Sequence, residues 1–186
     1  MSDWFARLNL KRRSLAVSLF SLSLCGVSAQ AEQVCDGETE TTPLSRFVDA
    51  NVENTFVVDA ETGLAWARCV VGQSWDSQNK ACTGEPLRLT WQEALKQADS
   101  FKPDNRTDWR LPNIKELVSI VERNCVEPAK NLAIFPNAPD DRYWTSTPNT
   151  SASLLGEAWA VAFYNGRIDS HKKFSDFYVR MVRYAE

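Results

Sequence analysis

The sequence predicts an α+β domain, with two helices set between an opening β-hairpin and a closing group of strands. Three observations carry that prediction. Residues 55–69 hold two β-rich runs, TFVVD and LAWARC, around the turn Glu61-Thr62-Gly63. Thr90 with Glu93, and Asn113 with Glu116, have the spacing of capping boxes, and each opens an apolar stripe of helical period. Asn165-Gly166, between AWAVAFY and RIDSHKK, is the strongest short hairpin signal and predicts a type I′ turn.

In chain order, Arg7, Lys11, Arg12 and Arg13 precede an apolar run over residues 15–27 and the small-residue sequence Ala29-Gln30-Ala31. That pattern is a secretory signal peptide over residues 1–31, cleaved after Ala31. The run falls short of the roughly 20 residues of a spanning helix, which argues against an uncleaved anchor. Bulky Leu24 before Cys25 argues against a lipid-attachment signal. The expected product is exported through the inner membrane, to the periplasm, the cell surface or the medium, with no membrane span in the mature chain.

Residues 32–54 are polar and acidic and read as a leader that is poorly ordered unless Cys35 ties it down. The body, residues 55–186, opens with the hairpin, whose LAWARC run alternates as a half-buried strand does. Trp91, Ala94, Leu95 and Ala98 form the apolar stripe of the first helix, which ends near Phe101 because Pro103 disfavours helical geometry at Lys102. Pro112 keeps Leu111 extended before Asn113 caps the second helix. That helix buries Ile114, Leu117, Val118 and Val121 and is predicted to reach about Asn124. Residues 126–141, VEPAKNLAIFPNAPDD, read as irregular loops over a core. YWTST, AWAVAFY, RIDSHKK and FYVRMVRY supply the closing strands, so that the ends of the body pair in one sheet.

Removing 31 of the 186 residues leaves 155, enough for one domain that buries about 68–70% of its unfolded surface. The net charge of −3 becomes −6 once the four basic residues and one acid of the signal are gone, which disfavours a nucleic-acid partner. Cys35, Cys69, Cys82 and Cys125 remain, an even number that reads as a disulfide framework. Three pairings are open. Closing the polar loop between Cys69 and Cys82 is the simplest and leaves Cys35 with Cys125. A cysteine metal site or nucleophile is disfavoured, since there is no C-x-x-C pair and His171 is the single histidine.

TGLAWARC, TWQEAL, DWRLPNIKEL, YWTSTP, NGRI and YVRMVR, in this order, resemble the Lcl C-terminal-like domain family, named for the C-terminal domain of the Legionella collagen-like protein. The resemblance spans residues 55–184. It implies a C-type-lectin-like fold, shared with the formylglycine-generating sulfatase-modifying enzymes, with two helices packed on antiparallel sheet. It also implies an adhesin-like role, because the best-studied member binds sulfated glycosaminoglycans. This chain departs from that adhesin: seven glycines cannot form a Gly-x-y stalk, so the trimer it organises is not implied and the oligomeric state is left open. The acidic mature charge also opposes a polyanion unless a local basic patch overrides it.

Arg167, His171, Lys172, Lys173 and Arg180 crowd into the last twenty residues and are the candidates for such a patch. The plainer reading is a solvated edge whose lysines block unwanted strand pairing. Trp75, beside Asp76 and Asn79 in the cysteine loop, is the second candidate, because an exposed aromatic stacks on sugars or anchors a protein contact. Its plainer reading is a ring folded back on the body. Asp108, Trp109 and Arg110 read as scaffold, with Trp109 in the core and Arg110 bonded to carbonyls or carboxylates.

Glu85-Pro86 and Pro103-Asp104-Asn105 faintly resemble lectin calcium motifs, and Asp108, Asp140 and Asp141 can add oxygens. No Trp-Asn-Asp element follows them, so no cofactor is expected and Ca²⁺ is the one exception to test. The formylglycine-generating relatives act through cysteines in the C-terminal part of the domain, and this chain has none after Cys125. The expected function is therefore an exported non-enzymatic binding module for a cell-surface or extracellular glycan or protein. The alternative is an envelope structural or assembly subunit that binds another protein.

Overall fold

Phe47–Asp49, Phe56–Asp59 and Leu64–Ala67 are rich in β-branched and aromatic residues, and they form strands on which the rest is built. The computed structural model describes residues 32–37, 39–50, 53, 55–103 and 105–185; the signal segment and its cleavage site at Ala31 lie outside the described residues. The segment read as a polar leader contributes strands of its own. β1 (Val34–Cys35) pairs antiparallel with β7 (Cys125–Val126), and Cys35 and Cys125, opposite each other in that ladder, are disulfide-bonded. A 3₁₀ turn, Leu44–Arg46, then leads into β2 (Phe47–Asp49), which pairs with β3 (Phe56–Asp59). Between them, both the N–H and the hydroxyl of Thr41 and of Thr42 donate to the Glu122 carboxylate.

β3 and β4 (Leu64–Ala67) form the predicted opening hairpin. With β11 (Val182–Tyr184) on the other side of β4, they make a four-stranded antiparallel sheet ordered β11-β4-β3-β2, so the first and last strands of the body share one sheet. A second sheet, ordered β10-β9-β8, contains β8 (Arg142–Pro148), β9 (Glu157–Ala162) and β10 (Arg167–Lys172). The expected single antiparallel sheet is thus split in two, with small ribbons beside it. The protein is mixed α+β, mostly antiparallel, with two helices and two disulfides.

β4 differs from the half-buried strand its alternation suggests, since both of its faces are covered. Leu64 and Trp66 enter one core with Val57, Leu117, Tyr143 and Val161, while Ala65 and Ala67 enter a second with Phe56, Trp109, Trp144 and Met181. The large-small alternation therefore sorts two apolar layers of different depth instead of inside from outside.

FYVRMVRY does not form one long strand. Phe177 bridges Leu89 and Tyr178 bridges Tyr143, Val179 and Met181 accept from the N–H groups of Val71 and Ala67, and only the end joins β4. The run is the seam between the sheets, because no single straight strand can pair with both.

Helix α1 (Trp91–Ser100) starts with the predicted capping box of Thr90 and Glu93. Ala94 is buried and Trp91, Ala98 and Phe101 pack against the second core, but Leu95 faces outward, so the stripe is narrower than expected. Helix α2 (Ile114–Ser119) has the second capping box and stops well short of Asn124. Arg46 donates to the Ser119 carbonyl at its last turn, and the Glu122 N–H goes to the Ala129 carbonyl instead of back along the helix. Val121 keeps its buried place through the turn that follows.

The Asn165-Gly166 hairpin is also wider than predicted. Its turn spans residues 163–166, and Gly166 at φ 73° has a positive φ while Asn165 does not, which excludes type I′. The Phe163 N–H is drawn to the Asp141 carbonyl, ending β9 early, and Val121 Cγ1 lies 2.9 Å from where a Cβ on Gly166 would stand.

Burial alone would raise the Glu122 carboxyl, but the Thr41 and Thr42 donors outweigh it and hold the group below the usual carboxylate range. The stabilisation is therefore complete above the unfolded value, about pH 4.3, and is lost as pH falls through the folded one. Urea denaturation is expected to show stability falling below about pH 4, with Glu122→Gln flattening that slope and costing about 1–3 kcal/mol at neutral pH. Replacing Cys35 and Cys125 together by serine removes a link across 90 positions, against 13 for Cys69 and Cys82. On loop entropy the two losses are about 4.5 and about 3 kcal/mol, measured the same way.

Candidate functional site

The loop after β4 is held by two local constraints. Gly72, at φ 95°, leaves no room for a Cβ against the Glu85 carbonyl and Leu87, so the chain turns there without a side chain. Cys69 and Cys82 form the predicted local disulfide. Between them, β5 (Ser74–Asp76) and β6 (Ala81–Thr83) form a ribbon in which Trp75 lies opposite Cys82. Asp76 closes its tip by accepting from the N–H groups of Gln78 and Asn79 and from the Asn79 side chain, and those bonds hold its carboxyl below the usual range.

Trp75 is half-buried, with the Arg68 guanidinium 5.0 Å from its ring centre. Arg68 donates to the Ile134 carbonyl at 3.1 Å and forms an ion pair with Asp49. Its side chain is only 8% exposed, against 55% for Asp49, so the charge that faces solvent here is the carboxylate. Trp75 is thus stacked on a fixed cation, an arrangement worth about 0.5–2 kcal/mol.

Two clefts meet at this ring. The first, about 460 Å³, is lined among others by Phe47, Asp49, Arg68, Trp75, Lys80 and Ile134. The second, about 410 Å³, is lined by Thr55, Gln73, Trp75, Gln97, Ser100 and Phe101 with their neighbours. Both fall in the range of small-molecule sites. Arg68 Nε, Gln73 Oε1 and Trp75 Nε1 are buried here with no protein hydrogen bond. A third hollow of about 450 Å³ lies between leader and body, but the amides of Gln33, Asn124 and Asn131 on its wall are bonded to the Pro128, Thr39 and Thr42 carbonyls.

The C-terminal cations do not assemble as one patch. Along β10, Arg167, Asp169 and His171 alternate with Ile168, Ser170 and Lys172, which puts Arg167 and Lys172 on opposite faces. Arg167 is exposed. Lys172 reaches Glu157 at 2.9 Å, and the Lys173 ammonium lies 4.6 Å from the Trp91 ring centre and donates to the Leu155 carbonyl. His171 accepts from Arg142 Nε at 3.1 Å, and burial with that nearby cation pushes it below the ordinary histidine range. Arg180 leaves the patch altogether: it is buried, donates to the Ala67 and Arg68 carbonyls, and faces the Phe135 ring at 4.3 Å. The seam between the sheets turns its side chain inward.

The acidic candidates for calcium are engaged elsewhere. Asp108 pairs with Arg106, Asp140 with Lys130 and Asp141 with Arg88, and Asp104 lies outside the described residues. Among the described residues no group of three or more His, Cys, Asp and Glu is placed to hold a metal ion. DWRLPNIKEL is scaffold as expected: Trp109 packs edge-on to Phe56 and Phe101, and Arg110 forms a two-point pair with Glu116, both bonds 2.7 Å.

Trp75 was singled out from the sequence as a candidate, and the residues that line the clefts around it were not. Arg68 was visible as a lone charge in an apolar strand ending at Cys69. Asp49, Gln73, and the α1 pair Gln97 and Ser100 come from three separate segments and carry no signal of their own. Arg180→Met is expected to cost about 2–4 kcal/mol, since two buried carbonyls lose their donors. Arg167→Met at the exposed edge should change stability by under about 0.5 kcal/mol in the same urea titration.

The sequence model of the Lcl C-terminal domain matches residues 55–183, more than half of the chain. No curated protein matches it. The chain belongs to the Lcl C-terminal domain family.

Proposed function

We propose that this member of the Lcl C-terminal domain family is an exported, non-enzymatic binding module of C-type-lectin-like fold, which recognises a glycan or protein on a cell surface or outside the cell. One observation carries the reading: Trp75, on a disulfide-closed loop and stacked on Arg68, lines two adjoining clefts. A rigid aromatic between concave surfaces with a few polar groups is what sugar and peptide recognition use. The two disulfides are compatible with a periplasmic or extracellular site of action, and among the described residues no helix is long and apolar enough to cross a membrane. The single histidine is engaged by Arg142 and Phe177, which supports binding over acid–base or nucleophilic chemistry.

A second reading, an envelope assembly subunit, is favoured by Phe174 and Leu155. They are 77% and 63% exposed on neighbouring loops joined by the Lys173 N–H to the Gly156 carbonyl. Such a pair suits a knob for another chain.

On a glycan array and in an envelope-protein pull-down, the oxidised protein should show saturable binding. Trp75→Ala should weaken it by about tenfold or more, roughly 1.4 kcal/mol, with no change in melting temperature beyond a few degrees. Phe174→Ser leaving a captured protein unbound, with Trp75→Ala harmless, would favour the second reading. No saturable binding in either assay overturns both.

A further inference from the structure

Resting on the Trp75 reading, we infer that the second cleft, on the Phe101 side of the ring, is a subsite for an uncharged, hydroxyl-rich sugar ring. The two clefts differ in chemistry. The first carries Asp49, Arg68 and Lys80. The second is walled by the side chains of Thr55, Ser74, Ser100, Gln73 and Gln97, with Lys102 the single charged lining residue among the described residues.

Its two aromatic rings supply what the apolar face of a sugar requires. Trp75 lines both clefts, while Arg68 lines the first and Phe101 the second. Phe101 is fixed from behind by the edge of Trp109, ring centres 5.5 Å apart, and Trp75 is fixed by the Cys69–Cys82 bond. Rings held before binding lose little freedom when a ligand arrives.

The polar groups are matched to hydroxyls. Gln73 Oε1 is a buried acceptor without a donor, while its Nε2 reaches the Asn137 carbonyl at 3.4 Å. At the rim, Gln97 Nε2 donates to Ser100 Oγ at 3.0 Å, and Ser100 Oγ donates to the Gln97 carbonyl at 3.0 Å, which presets an amide and a hydroxyl side by side. An exposed lysine alone gives a polyanion little advantage at ordinary salt.

The experiment is calorimetric titration of the oxidised full chain with uncharged tetrasaccharides (cello-, malto- and chitotetraose) and with a heparin tetrasaccharide, each at low and high salt. At least one uncharged probe should bind saturably with an affinity that salt does not change. Ser100→Trp, which fills the cleft from the exposed end of α1, and Gln97→Ala should each weaken it, the first by about tenfold or more, at unchanged melting temperature. Heparin binding alone, weakened by salt, overturns the uncharged subsite and leaves the binding-module reading standing. Binding of an uncharged probe that neither variant weakens overturns the placement in this cleft. If no saccharide binds and no envelope protein is captured, the module reading falls and the subsite with it.

Discussion

The structure turns on a buried arginine. Arg180 sits where the four-stranded sheet runs out, and its guanidinium donates at 2.6 and 2.5 Å to the carbonyls of Ala67 and Arg68, the end of β4 and the residue after it. Those carbonyls would otherwise face an apolar interior with no strand to pair with. Burial pushes the guanidinium down to about 10, so the group is still a cation at neutral pH. Taking that charge out of water is expensive, and it is tolerated because carbonyl oxygens and the face of Phe135, 4.3 Å away, replace the lost hydration. Arg180 thereby fixes the main chain of Arg68, whose own side chain fixes Trp75.

The same device recurs across the irregular segment that covers the first core. Residues 131–140 have little ladder pairing, and cations and hydroxyls from the body meet their carbonyls: Arg68 at Ile134, Lys130 at Ala138 and Tyr143 at Pro139. Burial pushes the Lys130 ammonium down, and Asp140 opposes that by pairing with it. Ile134 and Phe135 are pressed into the core while the proline-rich backbone between them and β8 is satisfied from below. On the other side, Asp59 takes a two-point bond from Arg46, which also donates to the end of α2, so one arginine of the leader joins β3 to a helix. Burial opposes that carboxylate's charge, but Arg46 and Thr62 outweigh it and hold it below the usual range.

What was legible in the sequence is what local physics decides. Both capping boxes, the opening hairpin, the core place of Trp109 and the bonding of Arg110 to a carboxylate, which is that of Glu116, depend on residues close in the chain, and all stand as read. The disulfides were reached by loop closure, which is also local for Cys69 and Cys82. The failures share the opposite cause. The length of α2, the turn type at Asn165-Gly166 and the division of FYVRMVRY between two sheets are each set by a distant partner: Ala129 for the Glu122 N–H, Asp141 for Phe163, and Val71 and Leu89 for the final run. Arg180 was counted with surface cations because its alternation in a strand is the same whether the strand ends at solvent or in a seam. The clefts were illegible for the same reason, since their walls come from the leader, β4, α1 and the turn after it.

Position sets Trp75 apart from the basic hairpin. Lys172 at the end of β10 and Lys173 just after it each have a private partner: Glu157 for Lys172, Trp91 for Lys173. Their charge is mostly spent within the molecule. Trp75 instead leaves the sheet where β4 ends, so concave space opens on either side of it, and three independent restraints limit its freedom: the disulfide, the Asp76 turn and the cation beneath the ring. An aromatic placed in this way meets a ligand with its conformational entropy already lost in folding. Arg68 Nε, Trp75 Nε1 and Gln73 Oε1 are buried around it without a protein hydrogen bond, as Trp66 Nε1 is in the core, each at a cost of about 1–3 kcal/mol that the surrounding packing offsets.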